Sequence, residues 1–125
     1  MAPARTSLKR ILEQVVAWGR ECLTSTAALG GVSARTHWVL LFMYARRAGV
    51  SVLQQPWAPE PLSERMIKQL AAAAFGAVRY VIHAGTTWTP ALESATGFTL
   101  EQLAPTIRWM LKSFTPLTLQ SWRQN

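Results

Sequence analysis

Residues Ser33 to Gly49 read SARTHWVLLFMYARRAG, and within them eight apolar residues run unbroken from Trp38 to Ala45. On a helix, Trp38, Phe42 and Ala45 cover one side, Leu40 and Tyr44 the other, and Val39, Leu41 and Met43 fill between. A helix apolar on every side is a buried helix. At helical rise the run is about 12 Å long, far short of the roughly 20 apolar residues of a membrane span. It is therefore predicted to be buried in protein, as the central helix of the fold.

Five further segments read as helices. Thr6 or Ser7 is expected to cap a first helix with apolar positions Leu8, Ile11, Leu12, Val15, Val16, Cys22 and Leu23, ended by Gly30 and Gly31. Gly19 falls inside that stripe, where a glycine lets another backbone approach. The central helix is expected to start near Ser33 and close at Arg46, Arg47 and Gly49, with Val50 to Gln55 able to add one turn. Residues 56–61, PWAPEP, hold three prolines and form a stiff connector carrying Trp57.

After the connector, Ser63 opens a long helix ending at Gly85, with a stripe of Ile67, Leu70, Ala71, Ala74, Val78, Val81 and Ile82. Its reverse side, between Arg65 and Tyr80, shows Ala72, Ala73 and Gly76. Thr89 and Pro90 begin a short helix to about Ala95. Thr99 with Gln102 forms a capping box for a helix whose stripe is Leu100, Leu103, Ile107, Met110, Leu111 and Phe114. Thr115 and Pro116 repeat the start signal for a last helix through Trp122. No segment alternates with strand period. The expected fold is all-α, a compact bundle of five to seven helices around a buried central helix, with residues 1–125 forming a single helical domain.

Half of the residues are apolar and only 15% are charged, against roughly 25% in an ordinary soluble domain. Some apolar surface is thus expected to meet a partner. Thirteen Lys and Arg against six acids leave +7, which suits nucleic acid, an anionic membrane or an acidic protein. The single cysteine, Cys22, excludes an internal disulfide framework, and no signal-peptide pattern precedes the first helix. An intracellular location is expected.

The chemistry of catalysis is missing its local patterns. His37, His83 and Cys22 stand apart, without metal-ligand spacing, and the glycine-rich and nucleophile-elbow motifs are absent. Glu60 and Glu64, the only close carboxylates, read as a helix start with Lys68 four residues beyond Glu64. No catalytic residue, cofactor or metal is expected.

Two short patterns resemble known families. Ala45, Gly49, Val50 and Ser51 resemble a helix-turn-helix, although Gln55 and Pro56 stand where its recognition helix needs an apolar residue and no proline. Trp18-Gly19-Arg20, with Gly30-Gly31 downstream, resembles the first homology region of the Bcl-2 family, with Ala17 in place of an asparagine. That resemblance implies a regulator with a groove for a partner helix, and no site residue is carried over from it.

Trp109 projects almost opposite the stripe of Ile107 and Met110, beside Arg108 and Lys112. Indole with two cations is a binding surface in type. The function expected is a non-enzymatic protein-protein interaction or assembly module with a basic, tryptophan-bearing surface for an acidic partner. Direct nucleic-acid binding through Arg46, Arg47, Arg108 and Lys112 is the alternative. Ala72, Ala73, Gly76 and Tyr80 are the expected surface for self-association as a homo-oligomer, unless that face is covered within the chain.

Overall fold

The computed structural model describes residues 3–23, 32–59, 61–83 and 88–124. They form five helices and no strand: α1 (Pro3–Cys22), α2 (Ala34–Leu53), α3 (Glu64–His83), α4 (Pro90–Thr96) and α5 (Leu100–Gln124). The long helix α3 touches α1, α2 and α5, while α4 rests against α1. One apolar cluster, from Ile11 on α1 to Phe114 on α5, joins these elements.

The helix at the centre is α3. Every residue from Leu70 to Arg79 is buried, whereas α2 leaves Val39 and Val50 exposed and buries one side, from His37 and Leu40 to Val52. The reason is side-chain size. Ala71 to Ala74, Gly76 and Ala77 give α3 a slim body that neighbouring helices can approach closely on every side, while the bulkier α2 occupies the layer outside it. The small-residue face of Ala72, Ala73 and Gly76 is consequently spent on packing within the chain. A second copy cannot reach it, and only Tyr80, 52% exposed, remains on the surface.

Four helix starts follow the capping chemistry of their sequences. The Ser33, Ser63 and Thr89 hydroxyls accept from the backbone N–H groups of Thr36, Met66 and Leu92, each at 3.2 Å. Thr99 and Gln102 exchange bonds as a capping box, Gln102 N–H to Thr99 Oγ1 at 3.2 Å and Thr99 N–H to Gln102 Oε1 at 2.8 Å. After α4, Gly97 adopts φ 78°, the left-handed conformation that closes a helix, and its N–H bonds Glu93 O.

The first helix departs from expectation. It begins at Pro3, the position where proline's fixed φ and missing N–H cost nothing, so neither Thr6 nor Ser7 is its cap. Ser7 is fully buried and its hydroxyl accepts the N–H of Leu62 at 3.0 Å, which ties the connector to α1. The buried face of α1 is therefore Ser7, Ile11, Val15 and Trp18, and Leu8, Leu12 and Val16 are only half-covered. Gly30 and Gly31, the expected end of this region, lie outside the described residues.

Helix α2 takes up the extra turn that Val50 to Gln55 allow beyond Gly49. It runs on to Leu53, and Gly49 is buried, with Leu8 Cδ1 2.9 Å from where a Cβ would stand. The glycine marks a helix crossing instead of a helix end, and Ala45 to Ser51 is continuous helix without a turn, so the helix-turn-helix pattern is not realised. Trp18-Gly19-Arg20 closes α1 and does not open a central helix, which removes the geometry of the Bcl-2 resemblance. Thr115 and Pro116 likewise start nothing: α5 continues through Pro116 to Gln124.

Candidate functional site

The site is built where the end of α2, the proline-rich connector, α3 and α5 meet. Val52 comes from α2, Trp57 from the connector, Met66, Gln69 and Leu70 from α3, and Pro105, Thr106 and Trp109 from α5, around a groove of about 340 Å³. That volume lies at the lower end of ligand-pocket sizes, roughly 300–1,000 Å³. Each contribution has a local cause. Pro56 cannot continue α2, so the chain turns at Gln54 to Trp57 and leaves the indole 61% exposed at the groove's mouth. Leu62, buried and bonded to Ser7, returns the chain to the core and sets the start of α3.

The floor is apolar apart from Gln69 and Thr106, which are joined by one hydrogen bond, Gln69 Nε2 donating to Thr106 Oγ1 at 3.2 Å. Trp109 is half-buried. One side of its ring meets Phe114 edge-on, with centroids 5.2 Å apart at 76°, and the rest lines the groove. No separate last helix folds back over it, because α5 is one helix. Arg108 and Lys112, on either side of Trp109 in the sequence of α5, are exposed, as is Arg65 next to Met66.

Of the residues that sequence spacing proposed for binding, Arg108, Trp109 and Lys112 share this end of α5. Arg46, exposed, and Arg47, half-buried, line a neighbouring depression of about 680 Å³ with Met43, Val50, Ser51, Gln54 and Phe114. Phe114 touches Trp109 from one side and borders that depression from the other, so it links the two sets.

Trp57 is the participant that periodicity did not single out. A tryptophan enclosed by prolines has no helix stripe to join, and that isolation is itself a signal of surface exposure.

A smaller cavity of about 260 Å³ lies between α1, α3 and α4, lined by Cys22, Leu23, Phe75, Arg79, Thr89, Ala91 and Leu92. Arg79 is only 8% exposed, and burial pulls its pKa down. Burial, reinforced by Glu21, pushes the Cys22 thiol up, with Arg79 opposing. The thiol is thus protonated at neutral pH, the unreactive form. Sequence periodicity gave no warning of a buried arginine here, since Arg79 sits in an otherwise small and apolar helix. Among the described residues no group of three potential metal ligands is found, and no helix is long and apolar enough to cross a membrane.

Residues 65–125, just under half of the chain, are similar to the family described as the cyclin C-terminal domain. The matched stretch takes in α3, α4 and α5, and so carries Met66, Gln69, Leu70, Pro105, Thr106 and Trp109 of the groove. The all-helical architecture agrees with that similarity, which points to a helical protein-interaction module. No curated protein and no solved structure matches the chain.

Proposed function

We propose that this protein is a non-catalytic, intracellular helical interaction module, acting as a single domain, whose basic, tryptophan-bearing face receives an acidic protein partner. The observation that carries the reading is a coincidence of position. The stretch similar to the cyclin C-terminal domain contains Arg108, Trp109 and Lys112, the half-buried indole and exposed cations beside the apolar groove. Cyclin-like domains are regulatory and non-catalytic, and a kinase-like protein is the partner class the similarity favours. The groove lining supplies apolar area and a hydrogen-bonded polar pair, with no titratable side chain.

Direct nucleic-acid binding is the second reading, favoured by Arg46 and Arg47 lying beside Phe114 and so joined to the Trp109 region. Its affinity would fall steeply with salt as counterions are released.

The test is proximity crosslinking in host cells, followed by titration of the purified partner against wild type and an Arg108→Glu/Lys112→Glu variant. Loss of about tenfold or more in affinity is expected for the variant, without a change in melting temperature. Recovery of RNA or DNA alone, with crosslinks abolished by nuclease, would transfer the reading to nucleic acid.

A further inference from the structure

The groove's chemistry describes its occupant in more detail, on the footing that the protein is an interaction module. Its wall and floor residues Val52, Met66, Leu70 and Pro105 offer aliphatic surface, and the polar pair beside them, Gln69 and Thr106, is joined by a hydrogen bond. Such a surface takes an apolar side chain. A nucleobase entering it would exchange the water around its polar edges for a mostly aliphatic lining.

The rim differs in kind. The indole N–H groups of Trp57 and Trp109 make no hydrogen bond within the described residues, whereas Trp88 donates its own to Phe98 O at 3.0 Å. Two donors at the groove therefore remain open to acceptors from outside.

Charge points the same way. Arg65 precedes Met66, and Arg108 and Lys112 bracket Trp109, all three exposed. Glu64, on α3, is already engaged by Arg10. Glu101, one turn before Pro105, is the nearest carboxylate on α5, at the end of the groove away from Arg108 and Lys112. Three exposed cations on the helix turns that carry Met66 and Trp109, with two indole donors at the slot itself, call for carboxylates flanking an apolar anchor.

We propose that the Trp57–Trp109 groove docks a short acidic segment of a protein partner, one or two large apolar side chains filling the slot while flanking carboxylates meet Arg65, Arg108 and Lys112. Trp109 is held ready by its edge-on contact with Phe114, so little is lost in ordering it, and a buried aromatic anchor within a ring of polar contacts is the usual seat of binding energy. The groove's size limits it to an anchor motif, while a larger partner adds contacts elsewhere.

The probe is a fluorescent, amidated amphipathic helix with leucines at i and i+4 and glutamates on its flanks, measured by anisotropy against the full chain. Controls are the same peptide with the leucines replaced by serine and a homothymidine oligonucleotide. Binding of the leucine peptide is expected, weakened about tenfold or more by Trp57→Ala, an exposed position whose loss leaves the melting temperature unchanged. Arg108→Glu with Lys112→Glu should weaken it similarly and flatten its salt dependence, and the serine peptide should not bind.

Failure of the leucine peptide to bind, binding indifferent to Trp57→Ala, or an oligonucleotide that alone binds with Trp57 dependence would each overturn the proposal. A natural partner that Trp57→Ala still holds would reject the groove and leave the interaction-module reading intact. Recovery of no protein partner at all would remove both.

Discussion

The indole of Trp38 lies over Gly19, so that a Cβ on Gly19 would stand 2.2 Å from Trp38 Cη2 and 2.7 Å from Cζ3. The same ring stacks on Phe42, with centroids 5.8 Å apart and planes 25° from parallel. What comes close at Gly19 is thus a side chain of α2, where sequence spacing suggested a backbone. Gly19→Ala should displace the indole from both contacts. Overpacking of this kind costs about 1–3 kcal/mol, against a gain of at most about 1 kcal/mol from replacing a helical glycine by alanine. A lower urea midpoint at unchanged slope is the expected result, and a midpoint equal to or above wild type would show that Trp38 moves freely.

Ser7 and Arg10 both join α1 to the start of α3, with different weight. The Ser7 hydroxyl is the acceptor for the buried N–H of Leu62, and Ser7→Ala strands that donor at about 1–3 kcal/mol. Arg10 pairs with Glu64 where both side chains are exposed, and exposed pairs contribute about 0–1 kcal/mol. Chemical denaturation of Ser7→Ala and Arg10→Ala in parallel should show a clear loss for the first and little for the second. The reverse order would mean that the connector does not depend on its bond to Ser7.

Gly76 tests the fate of the small-residue face. Since Ala72, Ala73 and Gly76 are buried by the chain's own helices, Gly76→Leu should lower the melting temperature and leave the mass measured by light scattering unchanged. Overpacking there costs about 1–3 kcal/mol or more. Tyr80→Ala, at an exposed position, should change neither quantity. A fall in mass for Gly76→Leu alone would return this face to self-association.

Local signals carried well from sequence to structure. Ser33, Ser63, Thr89 and the Thr99–Gln102 box act within three residues, and no distant contact competes with them. The apolar stripe of α5, Leu103, Ile107, Met110 and Phe114, is buried for the same reason of simple periodicity, although Leu100 at its start is 42% exposed.

What failed depended on partners far away in the chain. Gly49 looks like a helix end until α1 is seen to cross it, and Ser7 looks like a cap until Leu62 arrives 55 residues later. The candidate binding residues of α5 were visible because tryptophan between two cations on an outward face is unusual in itself. Val52, Met66 and Leu70 were invisible as site residues, being ordinary members of their stripes. Only the turn at Pro56 and the packing of α3 on α5 place them with Trp57 and Trp109 around one groove.

Tyr44 supplies a prediction in pH. It is fully buried on α2, and its hydroxyl is 2.6 Å from Thr115 Oγ1 on α5. Burial raises its pKa above the ordinary value of about 10, with the Thr115 bond opposing. A raised pKa in the folded state means that the unfolded chain releases this proton first, so the contribution of Tyr44 is whole below about pH 10 and is lost as pH climbs past it. Tyr44→Phe removes the bond to Thr115, at about 1 kcal/mol near neutral pH, and removes the titration as well. Every other titrating group is common to the two chains, so the difference between them isolates this tyrosine. Wild type should be the more stable at pH 7, and its advantage should shrink as pH rises through the tyrosine range. An advantage that stays constant across the alkaline limb would show that Tyr44 titrates as it does in the unfolded chain.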